Sequence, residues 1–403
     1  MFNQITTKEW DKVSYQTLGL NQEHAKKFQK FLEEKQLTHA LDFGLEGITT
    51  CAHVGIIRFA DFQLNILPKI IGEEDSLCLE NLMFMLRYTR KLEIHSMDSA
   101  EISQTKQPFL EVLIAHYANI LLNALQRHIP HQYETQEDNL PTVKGRILFA
   151  KNHLVNAANL ARTYCQFDEF TPDNLLNQTL KFVSHALQKL TSVSQTRQKL
   201  LKINAVYEDV TLRPVAYAET QKIILNRNHT MFKEPLELAQ MFLQNSTISL
   251  HNHTFTNLAI LFDMNKLFEK FVATALEQAF PGQVKIQNKL KIIEDIDGIP
   301  GTSYTIRPDI LFGKDTIIDT KYKRLSLPED KPSEADIYQM LAYNRFYNRK
   351  NIILCYPMTD EYYPRTTILE KKSISLMLLT LNIHQLLTKN NLNHIIYELM
   401  KRL

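Results

Sequence analysis

The stretch YTIRPDILFGKDTIIDTKYKR, residues 304–324, most narrows what this chain can fold into. Two short apolar, β-prone runs, 310–312 and 316–318, flank a Gly-Lys-Asp turn signal and predict a β-hairpin. With a loop of residues 313–315, Phe312 pairs with Thr316, and Asp309 falls directly opposite Asp319. Side chains alternate along a strand, so Lys321 shares the face of Asp319. Directly opposed residues have Cβ atoms roughly 5 Å apart, close enough for two carboxylates to repel unless a cation lies between them. Hard oxygen ligands of this kind suit Mg2+ or Mn2+. Lys321 beside such a cation could orient a water and offset charge developing on a phosphate. A loop one residue shorter or longer puts the two aspartates on opposite faces. The plain alternative is a solvated strand end, since Asp-x-Lys is common on apolar strands.

A chain of 403 residues has room for two or three domains, each with its own core. A formal net charge of +2 gives no global attraction to nucleic acid, so any DNA contact must rest on local patches. The first residues, MFNQITTKEWDK, lack the apolar core of a secretory signal, and no run reaches the length of a membrane span. Cys51, Cys78, Cys165 and Cys355 are far apart with no C-x-x-C pair, which fits reduced thiols in a cytoplasmic protein. No G-x-x-x-x-G-K-[ST] phosphate loop is present, so the chain is not expected to be an NTPase itself.

Along the chain, helical spacing surrounds His24–Glu33, and residues 39–70 turn β-like, a predicted small meander ended by Pro68. Helical patterns follow at 77–90 and 109–128, then a loop at 130–141. Thr171 or Asp173 is placed to cap a helix beginning near Pro172. Further helices are expected over 188–202 and 234–243. The polar, His-rich segment 251–256 is the predicted domain boundary. It contains HNH without the ββα-metal setting of the nuclease motif of that name, and His116 and His128 receive no ligand role. Beyond it, Asp263 caps a helix with an apolar stripe of Met264, Leu267, Phe268, Phe271, Val272, Ala275 and Ala279. A strand over 284–293, the hairpin, a helix opened by Ser333-Glu-Ala-Asp336, and a strand at 351–356 complete the order α-β-β-β-α-β. Another strand after Pro364 and a helix from about Ile383 follow.

This order, with Pro308-Asp309 on one strand and Asp319-Thr320-Lys321 on the next, resembles the PD-(D/E)XK nuclease core. The resemblance implies a further acid from the preceding helix, for which Glu269 is the match, and metal ligation by Asp309, Asp319, Glu269 and the Thr320 carbonyl. A RecB-like branch adds Q-x-x-x-Y, matched by Gln339 and Tyr343, which share a helix face. Lys323, Arg324, Arg345, Arg349 and Lys350, interleaved with Tyr322 and Tyr347, are candidate phosphate contacts.

Over its length the chain resembles the McrC family, nuclease subunits of McrBC-type modification-dependent (5-methylcytosine) restriction systems. The stretches that carry this are VGIIRFADFQLNILPKI, KGRI, DEFTPDNLLNQTLK, FDMNKLFEKFV and RPDI…IIDTKYK…DIYQMLAYN. It implies an McrB-like AAA+ GTPase ring as partner, with GTP used by that partner, and methylated DNA as substrate. The expected class is α+β. Residues 1–250 form a ring-binding, GTPase-stimulating region, β-rich over about 39–70 and helical over about 77–250, and residues 251–403 form an Mg2+-dependent endonuclease domain. A stand-alone RecB-like nuclease and a catalytically idle ring regulator stay open beside this reading.

Overall fold

The computed structural model describes residues 3–69, 75–89, 108–249, 252–293, 304–323, 332–357, 365–369 and 374–381, the last two segments as backbone alone. Helices are interspersed with several small sheets, an α+β architecture. The chain forms two compact units, one of Met1–Phe109 with Ala259–Leu403 and one of Leu110–Leu258. None of the described helices is long and apolar enough to cross a membrane.

The first unit opens with β1 (Asn3–Lys8), β2 (Lys12–Ser14), α1 (Gln22–Glu34), β3 (Leu41–Phe43), β4 (Gly47–Thr50), β5 (His53–Phe59), β6 (Phe62–Leu67) and α2 (Asp75–Tyr88). The predicted meander divides between two sheets. Strands β3 and β4 join β2 in the order β2-β4-β3, while β5 and β6 lie in a sheet with β1. Tight approach explains one glycine in each sheet: a Cβ on Gly47 would sit 2.2 Å from the Val13 carbonyl oxygen, and one on Gly55 2.1 Å from that of Ile260. Asn21 caps α1 by accepting from the His24 N–H. The helix then buries Phe28, Phe31 and Leu32 against Ile48, Ile57, Phe59, Phe62, Leu64 and Ile66. Each such side chain contributes about 1.5–3 kcal/mol by leaving water.

In the second unit, α3 (Phe109–Leu125) leads to β7 (Gln132–Leu140), β8 (Arg146–Ile147), β9 (Thr163–Thr171), α4 (Leu175–Leu190), α5 (Ser194–Val206), α6 (Lys233–Gln244), β10 (Ser246–Ser249) and β11 (Thr254–Asp263). The expected loop at 130–141 is instead β7, paired with β9 from Gln132↔Thr171 to Leu140↔Thr163. Its sequence, QYETQEDNL, is largely exposed and so lacks the apolar alternation that betrays a strand. The region expected to be helical therefore holds a three-stranded sheet, β7-β9-β8. Asn174, not Thr171 or Asp173, caps α4, because its side chain accepts from the Asn177 N–H. Asp173 is occupied by Gln178 and Thr211. The predicted helix over 188–202 breaks at Thr191, whose backbone turns extended and whose hydroxyl donates to Glu111 at 2.6 Å. Tyr117 seals α3 onto α4, donating to the Leu180 carbonyl at 3.0 Å.

Strand β11 returns the chain to the first unit and runs into α7 (Met264–Ala279), capped by Asp263 as expected. There follow β12 (Val284–Ile286), β13 (Leu290–Ile293), β14 (Tyr304–Ile306), β15 (Ile310–Phe312), β16 (Thr316–Thr320), α8 (Glu334–Tyr347), β17 (Asn351–Pro357), β18 (Arg365–Leu369) and β19 (Ile374–Leu381). The single strand expected over 284–293 is two strands in different sheets, β12 beside β15 and β13 beside β14. Gln287 sits between them with φ of 49°, a left-handed conformation that no strand continues through. The six-stranded sheet runs β12-β15-β16-β17-β19-β18, with β16, β17 and β19 mutually parallel. Among the described residues two strands follow Pro364 where the sequence predicts one, and the helix expected from Ile383 lies outside them.

Candidate active site

The hairpin register is Ile310↔Ile318, Leu311↔Ile317 and Phe312↔Thr316. Continued by one residue, it sets Asp309 across from Asp319, the arrangement that a three-residue loop predicts. Alternation puts Asp319 on the face of Ile317, with the Lys321 ammonium beside it, while Asp309 lies just before β15 and its carboxylate reaches Thr320. Helix α8 covers this face, burying Met340 and Tyr343 against Leu311, Ile317, Ile352 and Leu354. Its start is fixed by Ser333, which accepts from the Asp336 N–H.

Lys321 is the hub. Its Nζ lies 2.8 Å from Asp319 Oδ2 and 3.5 Å from Asp336 Oδ1, and donates to Gln339 Oε1 at 2.7 Å. Gln339 Nε2 donates to the Tyr343 hydroxyl at 2.8 Å, which donates to the Arg307 carbonyl at 3.1 Å. The i, i+4 pair on α8 thus locks the lysine to the backbone just before Pro308-Asp309. Asp309 is held from the neighbouring strand: its Oδ2 accepts from the Thr320 N–H at 2.8 Å and the Thr320 hydroxyl at 2.7 Å. This grip on Asp309 is a part for Thr320 that the sequence does not signal.

Burial pushes the Asp319 carboxyl up to about 6, with Asp309 adding to the rise and Lys321 opposing it. Burial disfavours the Lys321 ammonium, yet Asp319, Asp336 and Asp309 outweigh it and hold the group above its usual value. Burial also raises the Tyr343 hydroxyl, keeping it a neutral donor. Glu269 stands apart. Its Oε1 accepts from Gln287 Nε2 at 2.6 Å, and the Gln287 N–H donates to the Asp309 carbonyl at 2.8 Å, so Gln287 bridges the two acids. Burial raises the Glu269 carboxyl, Gln287 opposes, and the Asp309 charge adds. Among the described residues, no group of three or more His, Cys, Asp or Glu gathers tightly enough to hold a metal ion.

The candidate phosphate contacts are less uniform. Arg345 and Lys350 are exposed, Lys323 pairs with Asp336 at 3.0 Å, and Arg349 donates to the Gly313 carbonyl at 2.8 Å. Tyr347 donates to the Asn288 carbonyl at 2.6 Å. Tyr322 is buried, with its hydroxyl on Glu9, and cannot face a nucleic acid. Arg324 lies outside the described residues. Asp336 is a partner of Lys321 that the sequence signals only as a residue of the first turn of α8.

The fold is similar to solved ones. A chain of the refined half-complex of Thermococcus gammatolerans McrB AAA+ hexamers with bound McrC matches at TM-score 0.76 and 18% identity, over 98% of this chain and 100% of that one. A chain of the Thermococcus gammatolerans McrBC complex matches at TM-score 0.53 and 20% identity, over 68% of this chain and 88% of that one. A probable DNA helicase II homolog of Mycoplasma capricolum is 28% identical over 122 residues, 30% of this chain but only 17% of that protein's length. The family model described as "McrBC 5-methylcytosine restriction system component" matches residues 48–357, which include every candidate site residue named above. The chain belongs to the family of McrBC 5-methylcytosine restriction system components.

Proposed function

We propose that this chain is the McrC-type nuclease subunit of a modification-dependent restriction complex, hydrolysing DNA phosphodiesters with Mg2+. One observation carries the reading: the Asp309 carboxylate is held by Thr320, the residue next to Asp319, with Lys321 2.8 Å from Asp319 and tied by Gln339 to the overlying helix. We read α7-β12-β15-β16-α8-β17 as a PD-(D/E)XK core.

The residues present fit a hard divalent cation. Burial first, and the Asp309 charge second, raise Asp319, and a cation bound by the two acids would relieve the repulsion between them. Asp309 and Asp319 would hold it, with the Thr320 carbonyl as the further ligand that the resemblance implies; Glu269 would join only by leaving Gln287. When bound, Mg2+ or Mn2+ supplies an acidified water and a polarised phosphate. Lys321 offsets charge developing on the phosphate oxygens, Gln339 and Tyr343 aim the lysine, and Thr320 fixes the Asp309 carboxylate.

The partner in this reading is an McrB-like AAA+ GTPase ring, which uses the GTP and selects methylated DNA in the cytoplasm. Residues 1–250 supply ring binding and GTPase stimulation, and residues 251–403 the cutting. The test is co-purification with the product of the adjacent gene, then cleavage of methylated and unmethylated DNA with GTP and Mg2+. Cleavage that needs partner, GTP and intact Asp319 is expected. Cutting without any partner would favour a stand-alone RecB-like nuclease. GTPase stimulation with no cutting would favour an idle regulator.

A further inference from the structure

We propose that Asp336 is a positioning residue for Lys321, the carboxylate that keeps the ammonium aimed at the reacting phosphate. This rests on the reading of Asp309, Asp319 and Lys321 as the reacting site. An ammonium has three donors and no acceptor. In this structure Lys321 Nζ donates to Gln339 Oε1 at 2.7 Å and forms ion pairs with Asp319 at 2.8 Å and Asp336 at 3.5 Å. Of these three, Asp319 is also the carboxylate that a cation would claim, and a carboxylate shared with a dication attracts a neighbouring lysine less. Gln339 is neutral, so Asp336 is then the remaining anion that holds the lysine.

Asp336 is itself well fixed. It is buried in the first turn of α8, where the helix dipole favours a negative charge. Its N–H donates to Ser333 Oγ at 3.2 Å, and Lys323 Nζ donates to both carboxylate oxygens, to Oδ1 at 3.3 Å and to Oδ2 at 3.0 Å, so Oδ1 is shared between Lys323 and Lys321. Asp336, Gln339 and Tyr343 recur at i, i+3 and i+7, one stripe of the helix laid along the lysine. A capping residue needs only the backbone N–H, so the cap does not explain why this carboxylate is turned toward two lysines.

The experiment compares single-turnover cleavage by the full complex carrying Asp336→Asn, Asp336→Glu, Ser333→Ala, Lys321→Ala and the double variant Asp336→Asn/Lys321→Ala. Asp336→Asn should cut roughly ten- to hundredfold more slowly at saturating DNA, with half-saturating DNA and Mg2+ concentrations unchanged. Asp336→Glu should recover part of the rate, and Ser333→Ala should lower the melting temperature without matching the loss of rate. In the Lys321→Ala background Asp336→Asn should add no further loss. A wild-type rate for Asp336→Asn, a raised Mg2+ requirement, or equal losses for Asp336→Asn and Asp336→Glu in folded protein would overturn the inference. Wild-type cleavage by Lys321→Ala would instead overturn the reading of the site. If Asp336→Asn does not fold, a slow but folded Ser333→Ala with a normal Asp336→Glu would also overturn it, since the cap and not the carboxylate would then govern the rate.

Discussion

The hydroxyl of Tyr322 donates to a carboxylate oxygen of Glu9 at 2.8 Å, although the two residues are 313 positions apart in the chain. The same Glu9 oxygen accepts from the Lys69 N–H at 2.8 Å, and Trp10 stacks on the Tyr322 ring with centroids 6.2 Å apart. Phe268 of α7 meets that ring from within the core at 6.1 Å. Tyr322 directly follows Lys321, so the turn after β1 is built into the end of the strand that carries the candidate site. Burial, and then the Glu9 charge, hold the Tyr322 hydroxyl well above its usual range, so it remains a donor.

Tyr322→Phe removes this donor while keeping the ring. A buried carboxylate oxygen that loses one hydrogen bond costs about 1–3 kcal/mol. Urea unfolding should therefore show a lower midpoint with an unchanged slope. An unchanged midpoint would mean that the contact contributes nothing to stability.

Asp319→Asn should abolish cleavage and leave the fold intact, since it keeps shape and removes a charged ligand. The pH dependence follows from the raised carboxyl. The folded-state value near 6 lies above the usual 3.8, so the folded protein binds this proton more tightly than the unfolded chain does. Without metal, the stability linked to Asp319 is present at low pH and is lost as pH rises from about 4 to about 6, at no more than about 1.4 kcal/mol per pH unit. The wild-type protein should thus lose stability relative to Asp319→Asn across that window in EDTA. Adding Mg2+ at neutral pH should raise the wild-type melting temperature and leave that of the variant unmoved. Equal Mg2+ responses in the two proteins would remove Asp319 from the metal site.

Two substitutions test the supports of the site. Thr320→Val deletes the hydroxyl that donates to Asp309 at 2.7 Å while the backbone N–H still donates at 2.8 Å. Gln339→Ala cuts the link between Lys321 and Tyr343. Each should slow cleavage about tenfold or more and cost only about 1 kcal/mol of stability. A fall in melting temperature with no fall in rate would make either residue purely structural.

What could be read in the sequence was local. A turn of three residues sets the hairpin register, the period of two brings Lys321 to Asp319, and the spacing of four joins Gln339 to Tyr343. The caps at Asp263 and Ser333 are equally short-range. What stayed hidden depends on distant partners or on backbone conformations that composition does not mark. Residues 39–67 divide between two sheets because their partners include β1 and β2, which precede α1. The strand expected over 284–293 breaks at a left-handed Gln287, where no glycine gives warning. Strand β7 is a polar ribbon, and Glu9 reaches Tyr322 across most of the chain.

Cutting and ring stimulation should separate by point substitution and not by truncation. Residues 3–69 and the segment from Ala259 onward belong to one compact unit, with Glu9, Trp10 and Lys69 clustered about Tyr322. A fragment starting near residue 251 would strip Tyr322 of these neighbours and is expected to unfold, so its failure to stimulate a GTPase would say nothing about function. Lys321→Ala avoids that difficulty. The lysine side chain is held by Asp319, Asp336 and Gln339, all in the C-terminal part of the chain. Coupling to a ring requires contacts that differ between the ring's states, and the proposed ring-binding region ends before this site. Full-length Lys321→Ala should therefore bind the GTPase partner and accelerate its GTP turnover as the wild type does, while DNA cleavage falls by about a hundredfold or more. Loss of GTPase stimulation by a folded Lys321→Ala protein, measured at matched concentration, would show that the site and the ring-binding region are not separable.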